Sequence, residues 1–480
     1  MEPFTLSSVF GFSINWDFWS TVLAQPTPAL INDLFAVFGW VILALICVSL
    51  GSQLLAVFRS RLAGDKWEHV LLAVDVPPLF IQSPKAVEQI FAHLSGAKVG
   101  VRLAEKYWIG KRQKNFSFEI ISIEGYIQFL IRTESAFRDL VEAAVYAQYP
   151  EAEITEVEDY VDLVPGAFPS ETHHMFGVEF QLAEADAYPI RTYPNFEYKI
   201  SKDDVFSDPM AAILENFSRV GHGENFWLQI IIEPTGNDWK TKGIELVKDI
   251  ISGHAGHHGS TVLKDMVAFI GNVPMVIAKE FFRYLNSAEA PEEEGHEEAV
   301  GKLSDLTPGG KSTIEAIEDK IAKLGYKTKM RALYVARNEV FNPGRCVDGF
   351  IGALNQFHVQ SRNAIVPRFI THTHFLFFNH AREIMVQNKF FKAFAKRKIK
   401  VGGSPYILNI EELATIWHFP LPFVKTPLIQ KAGAKRGEPP MNLPVEADAG
   451  PLRAKVRAVD ISGTTSVDIP DVEPEEIMYG

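Results

Sequence analysis

The longest feature of the hydrophobic pattern is an uncharged run from Leu34 to Phe58, LFAVFGWVILALICVSLGSQLLAVF. At about 1.5 Å per residue a helix over this run reaches past a hydrocarbon core of roughly 30 Å. The pattern therefore predicts one transmembrane helix over residues 33–60. No Lys or Arg precedes it, whereas Arg59, Arg61 and Lys66 follow at once. The positive-inside bias then places the N-terminus outside and the C-terminal bulk in the cytoplasm, as in a single-pass protein of the inner (cytoplasmic) membrane. A cleaved signal peptide would need a positive n-region near Met1, and none is present. Residues 1–32 carry Phe4, Phe10, Phe12, Trp16, Phe18 and Trp19, which suits an extracytoplasmic, aromatic-rich segment at headgroup level.

Behind that run the period changes. His69–Val76 alternates like a strand, and Ser83 with Pro84 opens a helix carrying Val87, Ile90, Phe91 and Leu94 on one face. Phe116–Ile123 and Tyr126–Arg132 alternate around Glu124 and Gly125, the signature of a hairpin with a tight turn. A helix with Phe137, Leu140, Val141, Ala144 and Val145 on one face follows, and then a strand from Ala152. The order βαββαβ over 66–165 predicts a ferredoxin-like sandwich. A second such order is read from a strand at Phe196–Ile200, a helix through Ile213, Leu214 and Phe217, and the apolar strand Asn225–Glu233. It resumes with the strand Lys329–Ala336, a helix over Cys346–Phe357 and a strand over Ala364–Phe369. The expected fold class is thus α+β: one transmembrane helix and two ferredoxin-like units. The second unit, 166–234 and 326–370, is split by a helical insertion at 235–325 holding the acidic run Glu289–Glu298. Residues 371–444 read as a basic connecting region. The tail 445–480, rich in acids and Pro, reads as disordered.

Composition narrows the chemistry. The chain has 480 residues with a formal net charge of -12, which argues against a surface built wholly for nucleic acid while leaving local basic patches open. Two cysteines, Cys47 and Cys346, exclude a disulfide framework and a cysteine-based zinc ribbon, and both read as packing residues. The stretch Thr307–Thr313, TPGGKST, resembles a phosphate loop, but Asp305 stands where the first glycine belongs, and the reading is a turn before a helix with Ile314, Ile317, Ile321 and Leu324. His254, His257 and His258 lie among glycines and read as part of a flexible surface loop. The pairs His173/His174 and His372/His374 lack carboxylates at ligand spacing, so no metal site is expected. No nucleophile with its base is visible, and no catalytic residue or cofactor is expected.

Basic residues concentrate twice. Lys389, Lys392, Lys396, Arg397, Lys398 and Lys400 interleave with Phe390, Phe391 and Phe394, a composition able to neutralise DNA phosphates or anionic lipid. Arg102, Lys106, Lys111, Arg112 and Lys114 form a second set near Tyr107 and Trp108. Each also reads as an ordinary solvated face of an acidic protein.

Several blocks together, Asn115–Tyr160, Asp208–Pro234, Leu306–Ala336, and NIEELATIWHFP with VKTP over Asn409–Pro427, resemble the membrane-proximal region of type IV secretion coupling-protein-like (conjugative transfer) ATPases of candidate-phyla bacteria. In those relatives a segment like EPPMNLP (Glu438–Pro444) runs into an ATP-hydrolysing motor. Here too little chain follows Pro444 for a motor and no Walker motif occurs, so ATPase activity is not carried over. The resemblance implies a non-catalytic scaffold or adaptor at the lipid bilayer, docking a separately encoded secretion ATPase or channel protein, with a homo-oligomer conceivable. The alternative expectation is a membrane-tethered protein that binds DNA or acidic lipid through Lys389–Lys400.

Overall fold

The computed structural model describes residues 43–44, 47–60, 62, 64, 67–77, 82–100, 102, 105–200, 203–206, 208–252, 306–371 and 379–421. Period-two alternation shapes its centre. Strands β1 (His69–Asp75), β2 (Phe116–Ile123), β3 (Tyr126–Glu134) and β4 (Glu153–Val157) lie in the order β4–β1–β3–β2. Strands β5 (His173–Leu182), β8 (Glu224–Pro234), β9 (Gly325–Arg337) and β10 (Ile365–Ile370) lie in the order β8–β9–β5–β10. β2 and β8 pair antiparallel from Phe116↔Ile232 to Ile123↔Asn225 and fuse the two groups into one sheet. A short strand, β11 (Tyr406–Asn409), adds to β9, so the sheet has nine strands. The β2–β3 turn has Glu124 and Gly125 at φ 53° and 92°, the left-handed pair that matches strand twist in a two-residue hairpin.

The expected fold class is corrected on this basis. Among the described residues no helix is long and apolar enough to cross a membrane. The expected single-pass inner-membrane placement falls on this finding. The two expected ferredoxin-like units are not separate: β2 and β8 are buried along most of their length and pair edge to edge, which fuses the two strand groups into one antiparallel sheet. The strand expected at Phe196–Ile200 instead forms a separate two-stranded ribbon, β6 (Glu197–Ile200) with β7 (Asp203–Phe206). Its expected place in the sheet is taken by β5, a strand that the sequence pattern does not predict.

One face of the sheet is covered by helices α1 (Pro84–Leu94), α2 (Arg138–Tyr146), α3 (Met210–Ser218), α6 (Gly349–Leu354) and α8 (Ile410–Ile416). Their apolar stripes share one core with Leu72, Phe118, Ile120, Phe226 and Leu228, and Phe118 packs against Phe91 and Trp417 at 4.7 and 4.8 Å between ring centroids. The expected connecting region thus builds core: Asn409 and Glu412 close a capping box that starts α8, and Trp417 and Phe419 fill the space over Phe129. Helices α4 (Asp238–Ile251) and α5 (Pro308–Ala322) bracket the insertion and pack together through Val247, Ile314 and Ile317. The acidic run between them lies outside the described residues.

The other face is covered by helix α7 (Asn379–Ala395) and the segment around Tyr160–Phe168. Phe390, Phe391 and Phe394 point inward here, each contributing roughly 1.5–3 kcal/mol of burial. Gly177 of β5 makes this approach possible, since a Cβ there would meet the Phe390 ring at 2.5 Å. All described residues belong to one compact unit, Met1–Ala432.

Candidate functional site

The α7 face of the sheet carries charge where apolar residues would be expected. Register places Glu179 opposite Arg331, Arg331 opposite Gln229, and Gln229 opposite Glu119, a polar row running across β5, β9, β8 and β2. All four are at most 2% exposed. Burying such groups is costly unless each finds partners, and the chain after α7 supplies them.

At the Glu119 end the partner is Arg397. Lys398 N–H donates to Ala393 O and Arg397 N–H to Phe394 O, both at 2.9 Å, which closes α7 in a Schellman motif. The left-handed position of that motif normally belongs to glycine, yet Arg397 occupies it at φ 45°. A side chain there costs about 1–2 kcal/mol but places the guanidinium over the sheet. Its Nε and Nη2 fork onto both oxygens of Glu119 at 3.0 Å, and the remaining donors reach Asp159 and Ala395 O. Glu119 also accepts from Ser117, Tyr160 and Gln229. Burial works against the charge on Arg397, but Glu119, Tyr160 and Asp159 outweigh it and push its pKa further up. Arg132 joins the cluster electrostatically; burial, then the charge of Arg397, lowers it to about 10.

At the other end Glu179 holds Lys329 at 3.3 Å and Arg331 at 3.0 Å and accepts from Gly403 N–H at 2.6 Å. Lys329 and Arg331 both donate to Val401 O, so the loop after α7 is clamped to the sheet. Gly402, at φ 95°, is the only residue type that fits, since a Cβ would lie 2.3 Å from a Glu179 oxygen. Burial lowers the pKa of Lys329 and of Arg331 against the opposing pull of Glu179.

Outside this clamp stand the lysines. Of the six residues singled out by composition, Arg397 is consumed in the ion network, and its place in the basic stretch reflects folding chemistry. Lys389, Lys392, Lys396, Lys398 and Lys400 are exposed, and among the described residues none of the five makes an ion pair. A groove of about 390 Å³ runs along them, lined by Met385, Asn388, Lys389, Lys392, Lys398 and Val401. The second basic set comes close: Asn115 donates to Arg397 O at 3.1 Å, and Arg112 and Lys400 both act on Glu233. Other members of that set are engaged elsewhere. Lys114 pairs with Glu134 and lies over the Trp67 ring, and Lys111 pairs with Glu105.

The remaining candidates resolve into structure. Thr307 caps α5 by accepting from Gly310 N–H at 3.2 Å, so the glycines of TPGGKST sit within the first helical turn, not in a turn before it. Cys346 is fully buried, and burial pushes its thiol pKa up. Cys47, expected inside the membrane, is exposed on the helix 47–60. His173 contacts Thr172 Oγ1 at 2.8 Å and His174 packs on Phe341. His254, His257, His258, His372 and His374 lie outside the described residues. Among those described, no cluster of His, Cys, Asp or Glu is arranged to hold a metal. One buried pair eluded sequence reading: His418 contacts Asp208 at 2.9 Å, and Asp208 accepts from Leu421 and Met210 N–H. Burial raises the Asp208 carboxyl, but His418 and the two amides outweigh it and hold it below its usual range. This pair ties the segment after α8 to the start of α3.

Fold and site together define an α+β protein with a lysine-lined face above a buried ionic row. The sequence profile of a domain of unknown function (DUF8128) matches residues 83–432, and the chain belongs to that family. No curated protein matches the chain in sequence. The expected placement in type IV secretion or conjugation is corrected accordingly, because the matched family has no assigned function.

Proposed function

We propose that this protein acts by binding rather than by chemistry, and that its working surface is the lysine face of α7 and the following loop, which takes the phosphate backbone of DNA. One observation carries the reading. Acidic residues outnumber basic ones, 59 to 47, yet among the described residues Lys389, Lys392, Lys396 and Lys398 make no ion pair while others such as Lys323 find theirs. Phosphates neutralised by such lysines release condensed counterions, so affinity comes without sequence preference and falls with salt.

The test is fluorescence anisotropy of the full chain with a labelled duplex between 50 and 200 mM salt. Binding should weaken steeply as salt rises. The variant K389E/K392E/K398E should lose at least about tenfold in affinity and flatten the salt slope by roughly 2–3, with stability unchanged within about 0.5 kcal/mol because all three positions are exposed. Background binding at 50 mM salt, or an unaltered slope in the variant, would defeat the reading in favour of a scaffold for a protein partner.

A further inference from the structure

The lysine groove deepens beneath Lys389 into a second pocket of about 120 Å³ whose surface is almost wholly apolar, with Phe369, Val386, Phe390, Ala393 and Val401 along it. It holds about four water volumes at roughly 30 Å³ each, room for one flat heterocyclic ring. The one carboxylate on its wall, Glu179, is answered from within by Lys329, Arg331 and the Gly403 N–H, which leaves the exposed lysines to set the sign of the surface.

Phe369 reaches this wall through an irregularity in β10. Pro367 pairs with Phe180, and a regular ladder would set Arg368 against Glu179; the register shifts between Pro367 and Phe369, and Phe369 takes that place instead. A bulge of this kind re-aims a side chain, and bulges recur next to active sites. Here it puts an aromatic ring on the α7 face, parallel to the buried Phe390 ring with 10° between planes and 6.2 Å between centroids, yet still 37% exposed. Met385, one turn before Lys389 on α7, is 70% exposed and lines the same groove as Lys389, Lys392 and Lys398. A lone exposed Phe is ordinary. Rimmed by cations, it is one half of a physical pairing in which phosphates track a basic groove while bases stack on aromatic faces. A duplex cannot use such a floor, because its base faces are already covered by their neighbours.

We infer that this face prefers single-stranded nucleic acid, with phosphates on Lys389, Lys392 and Lys398 and one base laid on Phe369 over the apolar floor. This preference rests on the lysine-face reading above and names the form of nucleic acid the face selects.

Fluorescence anisotropy of the full chain with a labelled oligothymidine strand, an abasic strand and a duplex, all of equal length and at one salt concentration, tests it. The single strand should bind about tenfold or more tighter than the abasic strand, which carries the phosphates without the bases. It should also outbind the duplex, although the duplex presents the denser charge. Phe369→Leu, which keeps apolar bulk without the flat ring, should lose about the same factor for the single strand and leave duplex binding unchanged, whereas Phe369→Trp should keep single-strand affinity. The abasic arm uses the native chain, so it decides even if β10 tolerates no substitution. A single strand bound no better than the abasic strand or the duplex, or unweakened in Phe369→Leu, overturns the preference while salt-sensitive duplex binding leaves the lysine face standing. Background binding of all three overturns both and turns the face over to an acidic protein segment. Tight single-strand binding beside background duplex binding supports the preference and confines the lysine face to single strands.

Discussion

Glu119 and Glu179 sit on the same row of the same sheet face, with two strands between them, and their surroundings balance differently. Around Glu119 a second carboxylate, Asp159, and a second cation, Arg132, bring the charges level, and the guanidinium of Arg397 has every donor used. Around Glu179 two cations face one carboxylate beside an open pocket. The first cluster has the form of a closed structural lock. The second keeps one more cation than carboxylate and meets the imbalance with the backbone carbonyls of Ala393, Val401 and Gly403. Position on a strand is thus a poor guide to role; the local sum of charge separates the two.

Three perturbations sharpen this contrast. The largest effect is expected from Arg397→Met, which removes the guanidinium bonded to both Glu119 and Asp159 and leaves only Arg132 near the two carboxylates. Urea denaturation should show a loss of about 3–5 kcal/mol, and adding Glu119→Gln should cost less than the two single changes combined. Additive losses would mean that the pair is not coupled. Next is Gly402→Ala, which drives a Cβ toward Glu179 at a left-handed backbone position. A loss of about 1–3 kcal/mol is expected, accompanied by loosening of the 396–403 loop in hydrogen exchange; a neutral outcome would show that the clamp yields freely.

The smallest effect concerns pH. The folded Lys329 is held below the ordinary 10.5 by burial, so the unfolded chain binds more protons as pH approaches that value from below. Stability contributed by this group should therefore rise as pH passes from the folded pKa toward 10.5, with a slope of at most about 1.4 kcal/mol per unit. The difference between native chain and Lys329→Met, measured by denaturation from pH 8.5 upward, isolates it from the titrating tyrosines. A falling difference would show that Glu179 outweighs burial and that the cluster has no charge to spare.

Much of the local structure was legible beforehand. Ser83–Pro84 opens α1, and the apolar spacing of Val87, Ile90, Phe91 and Leu94 selects its buried face; Glu124–Gly125 makes the hairpin. A signal for the ionic row was present too: in KMRALYVA, Lys329 and Arg331 share parity with the buried Leu333 and Val335, and in FSFEIISI Glu119 shares it with Ile121. The basic stretch was visible as composition, but which of its members stays free was not. Arg397 is set apart from Lys396 and Lys398 by its forked guanidinium and by the left-handed turn that directs it onto Glu119. The uncharged run at Leu34–Phe58 was legible as well, yet among the described residues no helix is long and apolar enough to cross a membrane.

By itself the amino-acid order determined the periods, caps and turns, because these depend on groups within a few residues of one another. The joining of two strand groups through β2 and β8, the pairing of Arg397 with Glu119 across 278 positions, and the surplus charge beside Glu179 were decided only by the tertiary structure. Charges so far apart along the chain meet only when a shared sheet removes them from water, and in that dry setting each must find its particular partner or remain exposed to solvent.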